Sequence, residues 1–385
     1  MYRKTEGDVT MCGGNEWMKI ASTHPKLDYV TKHGDLMTQS KTLDFEIFEI
    51  PAQGLFLAAA NQGRDRNMDS TIYKWSDTKR FLPYQNIETD TARHWKYFSI
   101  EYEHFLAVAI HEVGNAPGAV SAIYRWNNNR RKFVPHQFIR TFAARSFESF
   151  RIDDKHFIVV ANHAGDNGQK ENSWVYVWNP DHRAFIKYQA IQTIGAYDFQ
   201  YFRIGADHFL AVANSFNGVT TKLHSVIYRW TQSNFVAFQY IETFCATDWE
   251  HFVISGRHFL AVANYYDNSP DHATYVINSF VFEYKAEIKQ FVKTQDIPTQ
   301  GARDIEYFEV GQDSFLIAAS ASDEQRDLQS VIYRWQGMEG FVKVHSLPCG
   351  PSADFESFRT NLGEYYLVSA NVRSRSSAIM RLLTY

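Results

Sequence analysis

Four pairs of carboxylates recur along this chain at one spacing: Asp44/Glu46, Asp248/Glu250, Asp304/Glu306 and Asp354/Glu356. Each pair opens a segment of the form Asp-apolar-Glu-x-Phe. Residues two apart on an extended strand point to the same side, so each pair turns both carboxylates toward one face. Several such oxygens meeting at one place are what a hard cation such as calcium takes. Carboxylates arranged around a channel could also serve a hydrolase, as they do in glycosidases. The structural alternative is that Asp caps a turn and Glu pairs with nearby basic or backbone groups. Which of these holds depends on the elements that position the pairs.

Those elements are repeats. The acidic segment, motif A, has seven copies centred on Phe48, Phe98, Phe150, Phe202, Phe252, Phe308 and Phe358. Motif B, FLAVAN-like, follows each copy, as in HFLAVAN at 208–214 and again at 258–264. A continuous apolar run with small residues reads as a strand buried on both faces. Motif C, Ser-x-Ile/Val-Tyr-x-Trp, is seen in SVIYRW at 225–230 and 330–335, and its Ser occupies every copy. Its Tyr and Trp, two apart, are expected to form a stacked outer wall. Motif D, Phe-x-x-x-Gln-x-Ile, starts at Phe81, Phe133, Phe185, Phe235, Phe291 and, degenerately, Phe341.

A period of about 51 residues suits a four-stranded propeller blade. Six D motifs against seven copies of A, B and C leave one outer strand to be supplied from the N-terminus. The D-to-A spacing predicts it at TKHGDLM, residues 31–37, with Met37 in the Ile position. The sequence therefore predicts an all-β, seven-bladed β-propeller with four antiparallel strands per blade over residues 27–385. A strand from the N-terminus completes the last blade and closes the ring, leaving no open sheet edge. Residues 1–26 match nothing later and read as an N-terminal arm or linker. By strand parity the B–C loops and D–A links share one face, and the acidic pairs of blades five, six, seven and one converge at one side of the channel mouth. The corresponding positions elsewhere, His94/Lys96, Ser146/Glu148 and Asp198/Gln200, make the ring lopsided.

Composition narrows the partners. A net charge of −4 gives no electrostatic footprint for nucleic acid or an anionic membrane. No signal-peptide h-region and no membrane-spanning apolar run occurs in the chain. Cys12, Cys245 and Cys349 are too few and scattered for a zinc site or disulfide framework and are expected to be free, a Cys245–Cys349 bond being the open alternative. HEVGN at 111–115 lacks the second His of a zincin, and no other catalytic motif occurs.

The ordered motifs A, FL-x-VAN and S-x-IYxW resemble the EAR, or EPTP, repeat over roughly residues 31–385. This repeat is found in the leucine-rich glioma-inactivated proteins and in a thrombospondin-type laminin G domain protein. The resemblance implies a non-enzymatic, extracellular or secreted recognition propeller whose partner is a cell-surface protein. In the glioma-inactivated group that partner is the ectodomain of an ADAM-type receptor lacking protease activity. It also implies a structural calcium in the central channel, with no other cofactor required. A multivalent lectin, using glycan sites between blades, is the alternative; a hydrolase using the channel-mouth carboxylates is a further one.

The remaining polar repeats have structural readings. His104, His156, His208 and His258 open motif B in four blades; equivalent positions diverge radially and cannot share a metal, so structural hydrogen bonding is expected. The motif-B Asn and motif-C Ser flank one loop and are expected to satisfy its backbone. The ligand-binding residues are instead expected in the unequal B–C loops: Arg64, Arg66, His111, Asn115, His163, Asp166, Phe216, Tyr265, Tyr266, Asp267, Glu324, Arg326, Arg373 and Arg375. Exposed Tyr, Phe and Arg are the usual anchors of a protein interface.

Overall fold

The computed structural model describes all residues except 1, 6, 7, 13–16, 23, 63–68, 112–118, 167 and 322–327; for 2–5, 8–10 and 17–22 it describes the backbone alone. Seven four-stranded antiparallel sheets follow one another, six of them with their strands in chain order from the channel outward. The innermost strands are Lys41–Ile50, Ala92–Ile100, Ala144–Ile152, Ala196–Ile204, Ala246–Ile254, Ala302–Val310 and Ser352–Arg359. Each touches the innermost strands of both neighbouring blades, and the last touches the first, so the sheets form a closed ring. The seven-bladed propeller expected from the repeat is the observed fold.

Blade 7 is composite. Its outer strand, Leu27–Met37, pairs with the C-terminal strand Ser376–Thr384. The predicted register is off by one: Leu36, not Met37, lies opposite Ser377 in the Ile position. Leu36 is accordingly 3% exposed and Met37 63%. The segment before this strand also holds more structure than an arm, with strands Tyr2–Thr5, Asp8–Cys12 and Trp17–Ser22 forming a separate three-stranded sheet.

Each motif solves one packing problem. Motif B forms the second strand, and its apolar residues are buried on both faces. The motif-A Phe stacks on the first aromatic of motif B in all seven blades, from Phe48 on Phe56 to Phe358 on Tyr366, with ring centroids 5.1–5.7 Å apart. At four seams the next blade extends the stack, with Tyr97 on Phe48, Tyr201 on Phe150, His251 on Phe202 and Tyr307 on Phe252 at 4.7–4.8 Å. The motif-C Trp residues do not form a stacked outer wall. They wedge edge-on between blades, as Trp75 does against Phe358 and Tyr366 of blade 7. Four of the five motif-C Tyr side chains are buried instead, Tyr73 at 2% exposure, with Tyr228 half-buried.

Polar residues join blade to blade. The Gln of motif D clasps the next blade's motif-D Phe through its backbone. Gln189 Nε2 donates to Phe235 O at 2.8 Å, and Phe235 N donates to Gln189 Oε1 at 2.9 Å. The same pair of bonds joins Gln85 to Phe133, Gln137 to Phe185, Gln239 to Phe291 and Gln295 to Phe341. The clasp residue is missing on both sides of blade 7, where His345 and Gly34 hold the position.

The Asn of motif B has the backbone role expected of it. Asn214 Nδ2 donates to His224 O at 2.9 Å and its Oδ1 accepts from Ile194 N at 3.0 Å, tying a B–C loop to a D–A link. Asn162 and Asn264 repeat this. The motif-C Ser accepts the N–H at the end of motif B and bonds a motif-D Thr, as Ser225 does with Asn214 N and Thr243 Oγ1. The histidines opening motif B bond within the blade: His104 Nδ1 to Tyr97 OH at 2.7 Å, His208 Nδ1 to Tyr201 OH at 2.6 Å and His258 Nδ1 to His251 Nε2 at 3.2 Å.

Candidate functional site: the channel and its mouth

All eight carboxylates singled out by sequence, Asp44, Glu46, Asp248, Glu250, Asp304, Glu306, Asp354 and Glu356, line one central cavity of about 210 Å³. His94, Lys96, Ser146, Glu148, Asp198 and Gln200 line it as well. The inner strands place them in two layers, the motif-A Asp positions in one and the Glu positions two residues on in the next.

The Asp side chains have a partner that motif A could not name alone. Asp44 Oδ2 accepts from Trp95 N at 2.8 Å, Asp248 from Ile305 N at 3.0 Å, Asp304 from Phe355 N at 3.0 Å and Asp354 from Phe45 N at 2.8 Å. Four inner strands are thus hydrogen-bonded to an Asp carboxylate of the blade before them. The Glu layer repeats the device: Glu46 accepts from Tyr97 N at 2.8 Å, and Glu306 from both N and Oγ of Ser357. Lys96 reaches Glu148 of the next blade at 2.7 Å.

Burial, followed by mutual repulsion, holds these carboxyls far above their ordinary range at Asp44, Asp248, Glu250, Asp304 and Asp354. Glu356 is raised in the same way. Burial takes Glu46 and Glu306 up to about 7 and Asp198 to about 6. Carboxylate oxygens are the right donors for calcium. Among the described residues, however, no three His, Cys, Asp or Glu side chains come together as a set that could hold a metal ion.

A third layer lies at the end of the channel toward the B–C loops, one residue before the Asp layer. Its members are Leu43, Arg93, Arg145, Tyr197, Thr247, Arg303 and Ala353. Strand parity would turn these away from the acids that follow them. A β-bulge intervenes in every inner strand, as between Ala302 and Asp304, where the register with the second strand shifts. A bulge adds an unpaired residue and re-aims its side chain. Here it brings position 303 and its equivalents into the channel lining.

Three arginines gather around Tyr197. Arg303 Nη1 donates to Tyr197 OH at 2.7 Å, and Arg145 lies 4.8 Å over the Tyr197 ring. Burial would raise the Tyr197 phenol, but Arg303, Arg145 and Arg93 outweigh it and hold the group below the usual tyrosine value. Three loop residues chosen from the sequence meet this cluster. Tyr265 lies under the Arg303 guanidinium at 4.3 Å, His163 packs edge-on against Tyr197 at 6.2 Å, and His111 is 6.4 Å from His163. Burial and the neighbouring arginines depress His111 to about 2 and His163 to about 3, so both rings are neutral near pH 7.

The other loop residues are not brought together. Asp166 is exposed on one loop, and Arg373 and Arg375 on another. The carbonyl of Phe216 closes over Gly195, a left-handed residue whose hypothetical Cβ would strike it. Tyr266 packs on Tyr275 at 4.4 Å, and Asp267 caps a turn through Ser269. Arg64, Arg66, Asn115, Glu324 and Arg326 lie outside the described residues. The three cysteines are free thiols; burial pushes Cys245 up to about 11.

Comparison with known proteins places this geometry. The EPTP domain profile matches residues 80–127, 132–179, 184–231, 234–284 and 290–336. The human thrombospondin-type laminin G domain and EAR repeat-containing protein is 46% identical over 379 residues, covering 97% of this chain. The chain spans 56% of that relative's length, and the mouse counterpart aligns to the same extent. Mouse leucine-rich repeat LGI family member 2 is 28% identical over 194 residues, which is 50% of this chain and 31% of that protein. Among solved structures, BBS1N in complex with ARL6DN, soaked with mercury, superposes with a TM-score of 0.57 at 15% identity. The match covers 93% of this chain and 97% of that one, a likeness of fold alone.

Proposed function

Because this chain belongs to the EPTP domain family, we propose that it is a non-enzymatic recognition propeller that binds an extracellular or cell-surface protein through the face bearing the B–C loops. The observation that carries the reading is the mouth of the channel on that face. Arg, Tyr and His side chains from several blades converge there on a rigid ring, the residue types that anchor protein interfaces. Loops on such a scaffold vary without disturbing the motifs beneath. The extracellular location follows the same family reading. Among the described residues no helix is long and apolar enough to cross a membrane.

The test is binding of the fluorescently labelled chain to intact cells. Saturable binding should be lost when cell-surface proteins are removed with trypsin and when the B–C loops of blades 3 and 5 are exchanged for those of blade 4. Binding that survives trypsin but falls after glycosidase treatment would overturn the protein-partner reading. That result would favour the lectin, for which a groove of about 810 Å³ between blades 7 and 1, lined by Trp75, Leu82, Tyr84, Leu362 and several charged groups, is a candidate seat.

A further inference from the structure

The bulged layer is where the ring departs most from its own repeat. It puts guanidinium groups from blades 2, 3 and 6 beside one phenol, at the end of the channel that faces the loops. We infer that this mouth is a seat for a single carboxylate, the tip of an Asp or Glu side chain presented by an acidic segment of a protein partner. The inference rests on the recognition function proposed above and names the chemistry of what is recognised.

Four observations converge on it. Arg303 has neutral neighbours, the Tyr197 hydroxyl at 2.7 Å and the Tyr265 ring at 4.3 Å, and forms no ion pair among the described residues. Its planar fork is matched to a carboxylate, which it can bind through two parallel hydrogen bonds. The cavity of about 210 Å³ holds one side-chain tip and no folded element. Finally, Asp198, Asp248 and Asp304, one residue beyond the bulged layer, are raised by burial and carry less charge than exposed carboxylates, so they oppose an incoming monoanion less.

The experiment uses the whole chain and a fluorescein-labelled hexaglutamate peptide, with hexaglutamine as control, followed by anisotropy at low and physiological ionic strength. Hexaglutamate should bind, hexaglutamine should not, and affinity should fall at least tenfold in R145Q and in R303Q. Arg303 is packed between two tyrosines, so R303Q could fail to fold; a second readout therefore needs no arginine variant. A carboxylate seated here offsets the arginine charge, so the Tyr197 phenol, followed at 295 nm as the difference from Y197F, should titrate at higher pH when hexaglutamate is added. No binding to the wild type, equal binding to wild type and variants, or an unmoved phenol titration would each overturn the inference. Stronger, arginine-dependent binding of inorganic sulfate or a heparin hexasaccharide would overturn it too, in favour of a sulfate group. Loss of cell binding on loop exchange with hexaglutamate binding intact supports the seat. Cell binding retained while hexaglutamate fails refutes the seat alone and leaves the recognition function standing.

Discussion

Replacing Gln189 with Ala removes both halves of one clasp, the 2.8 Å bond to Phe235 O and the 2.9 Å bond from Phe235 N. Two neutral hydrogen bonds contribute about 0.5–1.5 kcal/mol each, and a backbone group left without a partner costs about 1–3 kcal/mol where water cannot reach it. Gln189 is half-buried on the outermost strand, so water can recover part of that loss. We expect destabilisation of about 2–3 kcal/mol, concentrated at the seam between blades 3 and 4. Hydrogen exchange is the appropriate assay, since a ring of blades need not unfold in one step. At 1.36 kcal/mol per factor of ten, the Phe235 amide should exchange about thirty- to 160-fold faster. Q189E sharpens the test: its carboxylate can still accept from Phe235 N but faces Phe235 O with a second acceptor. It should therefore be worse than Q189A at neutral pH and improve on acidification. Phe235 protection within threefold of wild type in Q189A would refute the clasp as an energetic element.

Three further outcomes are expected. Gly34 occupies the clasp position of blade 7 with nothing within 4 Å of a hypothetical Cβ, so G34Q should stabilise by about 1–2 kcal/mol, from relief of glycine's entropy cost and from a new clasp; an unchanged urea midpoint would count against it. Lys96 balances Glu148 at 2.7 Å inside the channel, so K96M should cost about 2–4 kcal/mol, less than a fully enclosed pair because the channel admits water, and K96M/E148Q should recover most of the loss. Glu306, raised to about 7 by burial, binds its proton more tightly folded than unfolded, so its contribution is present at low pH and lost as pH rises from about 4.5 through 7. The buried histidines act oppositely, losing stability as pH falls below about 6.5, so the measurement is a difference: metal-free wild type should gain up to about 2 kcal/mol over E306Q between pH 7.5 and 5.5, and parallel pH profiles would refute it. The calcium expectation is tested on the same protein, for it requires that EDTA lower the melting temperature and that calcium, not magnesium, restore it.

The scaffold was legible because each blade repeats one solution. The buried second strand and the Asn and Ser that hold the loops are read from residue type and order. Motif A also showed where the acids cluster, but the Asp partner belongs to the next blade's backbone, which no single copy contains. The arginine mouth was not legible. Arg93, Arg145, Tyr197 and Arg303 sit where alternation turns a side chain away from the channel, and only the bulge reverses this. A bulge is a backbone event with no fixed residue of its own, and the variety at its seven positions hid it. The closing strand was placed one residue late for a related reason. It carries Val30, Gly34 and Leu36 where the other blades have Phe, Gln and Ile, leaving spacing as the guide.

The composite blade has a mechanical consequence. Lys26 and Tyr385 exchange backbone hydrogen bonds at 3.3 and 3.1 Å, so the two ends of the ring lie side by side at one corner. Tension applied to both ends would act across the antiparallel pair Leu27–Met37 and Ser376–Thr384 from its terminal rung, breaking one bond pair after another instead of shearing all of them at once. That zipper lies in the blade whose flanks lack the Gln clasp. Under load the ring therefore has a designated opening point, and the blades bearing the arginine mouth are the ones that stay folded when it gives way.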